Sequence, residues 1–224
     1  PPPRSTLFPN TTLFRSAKVC VVGCGGLGGY SIEMLARFGI GKLTVVDGDV
    51  FNESNLNRQL LSLTQTLGKS KAFTAGERIL AINDEIQVNV VATYVDSDNI
   101  MDILHGHDII VDALDSNAVR SMVLEACEKL DVPCVHGAIA GWYGQVSTVF
   151  PKDTLLREYL LHARAQGIEM DIGNPSFIPA CIASYQVSET IKVLLNRGEI
   201  LRDQILFIDL FNNETELIKN RSEL

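Results

Sequence analysis

The sequence predicts an α/β fold with a doubly wound, mainly parallel sheet and an antiparallel C-terminal portion. Apolar, β-branched runs alternate with helical patterns along most of the chain, which is typical of a parallel sheet covered by helices on both faces. Closely spaced strand-like runs within residues 133–150, and again at the C-terminus, predict the antiparallel portion. The chain has 224 residues, of which 46% are hydrophobic, and this suits one globular domain with a sizeable core.

Each predicted element rests on a local pattern. Short apolar runs bounded by glycine, proline or polar residues indicate strands, and apolar residues spaced three or four apart indicate helices. The predicted strands are, in chain order, 19–22, 43–46, 87–92, 108–112, 133–139, 145–150, 205–209 and 214–219. The predicted helices are 27–38, 69–82, 100–105, one capped by Asn117 that extends to Leu130, and 179–195. We expect the last two strands to form a hairpin around Asn212 and Asn213.

Two segments stand apart from this pattern. Residues 1–16 contain a near-repeat, STLFPN followed by TTLFRS, and lack a usable amphipathic period. We interpret them as a non-native or artefactual leader and leave them out of the predicted fold. Residues 17–224 then form a single domain, within which residues 151–174 have weaker periodicity and are a candidate crossover or lid segment.

Charge and cysteine usage narrow the class of protein. The net charge is −8 and no Lys/Arg-rich patch stands out, which argues against nucleic acid and anionic membranes as partners. No apolar stretch approaches the roughly 18 residues of a membrane span, and no signal peptide is visible. The cysteines are scattered and form no C-x-x-C pair. We therefore expect a reduced, cytoplasmic protein without a disulfide framework or a zinc site.

The most informative stretch connects the first two predicted strands. Gly23, Gly25 and Gly28 follow the first strand with the spacing G-x-G-x-x-G, and Asp47 ends the second. Glycines let the backbone approach a phosphate, and the amide groups at the start of the following helix favour an anion. Asp47 is placed to accept hydrogen bonds from ribose hydroxyls. The stretch predicts a Rossmann-like adenine-nucleotide site; a tight turn that binds nothing is the alternative.

Three charged residues extend this predicted site, and each has a plainer alternative. Arg58 lies in the polar loop after Asp47, where it could clamp a polyphosphate or simply be exposed. Lys71 begins a helix and could place a point charge on a triphosphate or be an ordinary solvated lysine. Asp115 follows a buried strand, where it could hold Mg²⁺ with phosphate oxygens or merely cap the next helix.

In combination these residues resemble the ThiF/MoeB/HesA family of ubiquitin-activating-type adenylyltransferases. The resemblance covers about residues 17–224, so nearly all of the predicted domain. It is carried by Gly23-Cys24-Gly25-Gly26-Leu27-Gly28, by Asp47-Gly48-Asp49 with Ser54-Asn55-Leu56-Asn57-Arg58-Gln59, by Gly68-Lys69-Ser70-Lys71, and by Asp112-Ala113-Leu114-Asp115. The combination is specific, although the glycine motif alone is not.

The resemblance implies a reaction and a set of roles. The family uses MgATP to adenylate the C-terminal glycine of a small ubiquitin-like sulfur-carrier protein ending in Gly-Gly, which gives an acyl-adenylate and pyrophosphate. By resemblance Arg58, Lys71 and Asp115 are catalytic and Asp115 binds Mg²⁺, whereas Asp112, the runner-up for the metal, is expected to support the strand end. The implied nucleotide-binding residues are Gly23, Gly25, Gly26, Gly28, Asp47, Asp49, Asn55, Arg58 and Lys71. A homodimer is implied as well.

The chain departs from the family pattern in several places. It lacks the two C-x-x-C pairs that bind zinc in many relatives, and Ser116 stands where the family has asparagine. Residues 151–174 contain no cysteine for a covalent link to the carrier. Cys181, just beyond them, is interpreted as a packed, inert residue rather than a nucleophile. The arginine that family members place in the partner subunit's site is assigned to neither Arg4 nor Arg15.

Two other functions remain open at this point. An NAD-dependent oxidoreductase would explain the glycine motif and Asp47, but no His–acid pair is placed convincingly for hydride transfer. A non-catalytic nucleotide-binding scaffold of the same fold would explain the missing zinc pairs and crossover cysteine. The pathway of the carrier stays open, and so does a small-molecule or tRNA acceptor, although the acidic composition argues against tRNA.

Overall fold

The computed structural model describes residues 11–162 and 173–220. In these ranges the helices are α1 (Thr11–Ser16), α2 (Gly26–Phe38), α3 (Lys71–Ile82), α4 (Ile100–Leu104), α5 (Asn117–Leu130), α6 (Leu155–His162) and α7 (Phe177–Leu195). The strands are β1 (Lys18–Val22), β2 (Lys42–Val46), β3 (Gln87–Val91), β4 (Ile109–Asp112), β5 (Cys134–Ala140), β6 (Tyr143–Val149), β7 (Gln204–Asp209) and β8 (Glu214–Lys219).

All of the described strands lie in one sheet, in the order β3-β2-β1-β4-β5-β6-β7-β8. Neighbouring strands from β3 to β5 are parallel, and those from β5 to β8 are antiparallel. This confirms the predicted α/β class, the mainly parallel sheet and its antiparallel C-terminal portion. The carboxyl ends of β1, β2 and β4 meet at one edge of the sheet, which we call the carboxyl edge. Ligands of open α/β sheets bind at this edge.

Alternating side chains of the central strands divide the core into two halves. Val19 and Val21 of β1 face a cluster built with α2, α3 and α7, whereas Cys20 and Val22 face a cluster built with α4, α5 and α6. The four side chains are fully buried. Burial on both faces explains why this strand reads as a continuous apolar run without polar alternation.

The predicted element boundaries need small corrections. The long last helix starts at Phe177, two residues before the predicted start at Pro179. Asn117 is not the cap of α5: Ser116 occupies the cap position without a side-chain bond, and Asn117 is the first helical residue. The predicted C-terminal hairpin is confirmed, with Asp209 opposite Glu214.

The prediction leaves residues 1–16 out of the fold, but the described part of that segment packs on it. Phe14 in α1 is 2% exposed and meets the Phe38 ring edge-to-face, with ring centroids 4.8 Å apart. The Phe14 carbonyl also accepts a hydrogen bond from the Gly41 amide at 2.7 Å. Residues 11–16 therefore contribute to the core cluster beneath α2. The non-native origin of the leader stays a prediction, and residues 1–10 lie outside the described residues.

The predicted crossover or lid segment, 151–174, is described only in part. Its helix α6 buries Leu156 and Leu160 in the cluster with α4 and α5. Residues 163–172 lie outside the described residues, so the lid role stays a prediction. Across the described ranges, none of the helices combines the length and apolar character that crossing a membrane requires.

Candidate active site

The glycine motif forms the turn between β1 and α2 at the carboxyl edge. Gly23 has a φ of 99°, and a Cβ built on it would lie 2.6 Å from the Ala113 carbonyl oxygen. A Cβ on Gly28 would lie 1.8 Å from the Gly23 carbonyl oxygen. Gly25 is at the cap position of α2 and no side chain caps the helix. The turn thus requires glycine at two positions and leaves the first amide groups of α2 for an anion.

Gln59 packs against this turn from the loop after β2. A Cβ on Gly25 would lie 3.4 Å from Gln59 Nε2, whereas a Cβ on Gly26 would make ordinary contacts with Pro179 at 3.6 Å and Ile139 at 4.0 Å. Gln59 is 7% exposed, and among the described residues its Oε1 atom has no hydrogen-bond partner. An unsatisfied buried acceptor beside an uncapped helix start fits a site that a polar ligand completes. Sequence reasoning gave Gln59 no role, although its place next to Arg58 was a usable signal.

Asp47 connects the glycine turn to the end of β2. Its Oδ2 atom accepts a hydrogen bond from the Cys24 amide, and its Oδ1 atom accepts one from the Asp49 amide, both at 2.8 Å. Each carboxylate oxygen is therefore fixed by a backbone donor. Oxygens of an ionised carboxylate can accept more than one bond, so the fixed side chain can still receive ribose hydroxyls.

Asp49 and Lys71 form an ion pair across the loop that follows β2. Lys71 Nζ lies 2.6 Å from Asp49 Oδ2, and the Lys71 amide donates to the Asp49 carbonyl oxygen at 3.0 Å. The Lys71 side chain is 9% exposed and that of Asp49 is 39% exposed. Partial burial opposes ionisation of Asp49, but the hydrogen bonds from Lys71 and the Val50 amide outweigh it, so the pKa of Asp49 is lowered. The pair keeps a buried cation close to the carboxyl edge.

Asn55 and Arg58 are held within their own loop. Asn55 is 7% exposed, and its Oδ1 atom accepts the Asn52 amide hydrogen at 3.0 Å. Arg58 Nη1 donates to the Ser54 carbonyl oxygen at 2.8 Å and to Asn57 Oδ1 at 2.9 Å. The described contacts do not join either side chain to Lys71 or to the glycine turn. A polyphosphate contact by Arg58 would require its guanidinium to exchange these loop acceptors for phosphate oxygens.

The acids after β4 lie in different environments. Asp112 is 1% exposed, and its Oδ2 atom accepts a hydrogen bond from His136 Nδ1 at 2.7 Å. Its Oδ1 atom accepts the Leu114 amide hydrogen at 3.0 Å. Asp115 is exposed. Asp112 therefore supports the strand end, as expected, and only Asp115 faces solvent at this point of the carboxyl edge.

The acids present fit a magnesium ion that arrives with a nucleotide. Among the described residues no group of three or more His, Cys, Asp or Glu side chains could hold a metal ion. Mg²⁺ keeps most of its waters and needs only one or two protein carboxylates when phosphate oxygens supply other ligands. The exposed carboxylate of Asp115, two residues after the Ala113 carbonyl group that contacts Gly23, meets that requirement.

The cysteine chemistry considered from the sequence receives no support from local geometry. Cys181 lies in the second turn of α7 and is half-buried, and burial raises the pKa of its thiol. Burial also raises the pKa of Cys24 next to the glycine turn, with Asp47 adding to the effect. A raised pKa keeps a thiol protonated and weakly nucleophilic. This favours the interpretation of Cys181 as inert.

Comparison with known protein sequences gives a consistent result. A model of the ThiF family matches residues 10–223. The chain is 34% identical over 210 residues to the SAMP-activating enzyme E1 of Haloferax volcanii, covering 92% of this chain and 78% of that protein. It is 35% identical over 205 residues to the sulfur carrier protein adenylyltransferase of Thermus thermophilus, covering 87% of this chain and 75% of that protein.

Solved structures share the architecture. The chain matches E. coli MccB with ATP at a TM-score of 0.80 and 21% identity, covering 94% of this chain and 66% of that one. This likeness concerns the fold alone. It also matches E. coli tRNA N6-threonylcarbamoyladenosine dehydratase, TcdA, at a TM-score of 0.70 and 28% identity, covering 83% of this chain and 88% of that one.

Proposed function

The chain belongs to the ThiF family, and from this premise we propose that it uses ATP to adenylate the C-terminal carboxylate of a small ubiquitin-like sulfur-carrier protein. A carboxylate oxygen of the carrier attacks the α-phosphorus of ATP. The bond from that phosphorus to the bridging oxygen of pyrophosphate breaks, which leaves an acyl-adenylate and pyrophosphate. The family relationship and the names of the relatives also favour an adenylyltransferase over the NAD-dependent oxidoreductase that the glycine motif alone allows.

One observation carries this proposal: the glycine turn and the loop that bears Asp115 are in direct contact. The Ala113 carbonyl oxygen leaves no room for a Cβ on Gly23, and Ala113 is two residues before Asp115. The turn that leads into the uncapped helix start, which favours phosphate, therefore touches the loop that carries an exposed carboxylate, and this suits a phosphate-bound Mg²⁺. A dinucleotide-binding domain needs the first feature but not the second.

The proposed roles divide between binding and charge. The amide groups at Gly25 and Gly26 receive the phosphates, and Asp47 holds the ribose. Lys71, kept near the site by Asp49, and Arg58, once released from its loop acceptors, neutralise polyphosphate charge, whereas Asn55 orders the loop that carries Arg58. When bound, Mg²⁺ would neutralise phosphate charge and be held by Asp115. The carrier ends in Gly-Gly, since an extended tail without side chains passes most easily over the glycine turn.

The test is exchange of radioactive pyrophosphate into ATP. Sulfur-carrier proteins ending in Gly-Gly are compared with the same proteins lacking the last glycine, and tRNA is added in a separate arm. We expect exchange only with an intact Gly-Gly terminus. Absence of exchange with every carrier would contradict the proposal and favour a non-catalytic scaffold, and activity that requires tRNA would favour the tRNA-directed function suggested by the likeness to TcdA.

Asp115→Asn gives a sharper test of the site. We expect Asp115→Asn to lower exchange by about 100-fold or more with an unchanged Tm, because the side chain is exposed and its charge acts on the nucleotide. Asp84→Asn, an exposed acid before β3 at the opposite edge of the sheet, is the matched control and should keep full activity. Wild-type exchange by Asp115→Asn would refute the metal assignment. The homodimer is also a proposal, which sedimentation equilibrium can check.

A further inference from the structure

Arg120, in the first turn of α5, is a buried cation that neither the motif nor the proposed reaction uses. The residue is 6% exposed. Burying a guanidinium is unfavourable unless its charge is paired and its donors are bonded, so an arginine in this position has to be fixed by its surroundings. Its partners all lie at or near the carboxyl ends of β4 and β5.

The guanidinium contacts two backbone carbonyl oxygens and two side-chain oxygens. Nη1 donates to Asn117 Oδ1 at 2.8 Å, and Nη2 donates to the Leu114 carbonyl oxygen. Nη2 also approaches the Gly137 carbonyl oxygen of β5 at 3.4 Å, and Nε lies 3.6 Å from Asp112 Oδ2. Arg120 thus connects the end of β4, the loop after it, the start of α5 and β5.

Asp115 lies between two of these fixed points. Leu114 is the residue before it, and Asn117 is two residues after it. The loop is also held from below, since the Leu114 amide donates to Asp112 Oδ1 at 3.0 Å and the Ala113 amide donates to the Val22 carbonyl oxygen at 2.9 Å. Asp115 itself is exposed, so its position relative to the glycine turn depends on the loop.

His136 is the other side-chain partner of the buried Asp112 below the loop. His136 is fully buried and donates from Nδ1 to Asp112, while the Gln145 amide lies 3.1 Å from its Nε2. Burial lowers the pKa of His136 despite the nearby carboxylate, so the ring is neutral. The cluster then consists of one carboxylate, one guanidinium and one neutral imidazole, and Arg120 balances the charge of Asp112.

We propose that Arg120 is a positioning residue for nucleotide adenylation, which holds the Asp115 loop against the glycine turn so that the carboxylate meets the metal bound to ATP. This proposal rests on the proposed function in one respect, namely that the protein binds MgATP. Arg120 touches no substrate in this role. A lysine could pair with Asp112 but could not reproduce the planar set of donors that reaches Leu114, Asn117 and Gly137 together.

The experiment measures nucleotide binding by calorimetry without any carrier. For Arg120→Lys we expect the Kd of MgATP to rise about tenfold, as is typical when a residue that orients a metal ligand is lost. The Kd of ATP in EDTA should stay within about twofold, because Asp115 acts only through the metal. Arg202→Lys is the matched control: Arg202 pairs with Asp153 at the opposite edge of the sheet, and the variant should bind both forms like the wild type.

A double-mutant cycle separates positioning from a general loss of stability. If Arg120 acts through Asp115, Arg120→Lys combined with Asp115→Asn should bind MgATP no more weakly than Asp115→Asn alone. Additive losses, wild-type MgATP affinity in Arg120→Lys, or equal losses with and without Mg²⁺ would each overturn the proposal.

A second variant covers the case in which Arg120→Lys is unstable. If Arg120→Lys does not fold, Asn117→Ala removes the acceptor of Nη1 and should weaken the binding of MgATP selectively. An unchanged MgATP affinity in that variant would overturn the proposal. Failure of the proposed function is a separate outcome, because it would appear as wild-type protein that binds MgATP but shows no exchange with any carrier.

Discussion

Replacing Asp47 by asparagine tests how the nucleotide site is assembled before any ligand binds. Both carboxylate oxygens of Asp47 accept backbone amide hydrogens, from Cys24 in the glycine turn and from Asp49 after β2. An asparagine is nearly isosteric but has a single oxygen. Its NH₂ group must therefore face one of the two amide donors, whichever way the side chain is turned.

The expected loss follows from these two bonds. A hydrogen bond to a charged group contributes about 1.5–3 kcal/mol, and leaving a buried donor unsatisfied costs a similar amount. One of the two bonds is lost, and the other is weaker because the amide oxygen of asparagine carries no net charge. We therefore expect a destabilisation of about 2–3 kcal/mol. For a domain of this size, that corresponds to a fall in Tm of about 4–12 °C.

Thermal unfolding of the nucleotide-free protein gives the measurement. Asp209→Asn is a suitable control, because Asp209 Oδ1 accepts both the Phe211 and the Asn212 backbone amide hydrogens and an asparagine oxygen keeps both bonds. The variant loses only the exposed bond from Asn212 Nδ2 to Oδ2. We expect this control to lower the Tm by less than about 2 °C. A nucleotide-free Asp47→Asn protein with the Tm of the wild type would refute the assignment of both oxygens to backbone donors.

Two further predictions concern the same edge of the sheet. Gly28→Ala should prevent folding, because its Cβ would lie 1.8 Å from a backbone oxygen. Gly26→Ala should fold, because its Cβ would make only ordinary contacts, with Pro179 at 3.6 Å and Ile139 at 4.0 Å, and it should bind ATP more weakly because the methyl group obstructs the approach of a phosphate to the backbone. Equal yields of folded protein and equal ATP affinity in calorimetry would contradict this contrast. The Asp49–Lys71 pair predicts a pH dependence. The pKa of Asp49 is lowered from 3.8, so its stabilisation is fully present above that value and is lost as the pH falls through the folded-state pKa. The stability difference between wild type and Asp49→Asn, followed by thermal unfolding, is at most about 1 kcal/mol for so exposed a carboxylate and should vanish in acid. A difference that grows on acidification would show that another group is responsible.

The elements of the fold could be predicted because each has a local cause. Val19 to Val22 form an apolar run bounded by glycine, and such a run forms a buried strand wherever helices cover both faces. The helix boundaries were less certain because caps depend on tertiary contacts. Asparagine is a residue type that often caps helices, yet the side chain of Asn117 accepts a hydrogen bond from the buried Arg120. Phe14 shows the same limit, since the short helix α1, whose sequence has no usable amphipathic period, still places one ring in the core.

The motif residues of the site could be identified from the sequence, but their burial and their pairing partners could not. Lys71 reads as a solvated lysine at a helix start, and only the fold reveals that it is buried and paired with Asp49. Arg120 carried no signal in the sequence, and Gln59 had only its place next to Arg58, because a lone glutamine or arginine has no preferred spacing to a ligand. Their burial becomes visible only when strands distant in sequence are brought side by side.

The chemistry of the site fits adenylation because the described residues at the carboxyl edge offer positioning and charge instead of proton transfer. His136, fully buried and bonded on both ring nitrogens, is not free to act as a base. The carboxylate of a protein C-terminus is already ionised at neutral pH and needs no base to attack phosphorus. What the reaction requires is a fixed line of approach and neutralised phosphate charge, which helix amides, a buried lysine and one exposed acid supply.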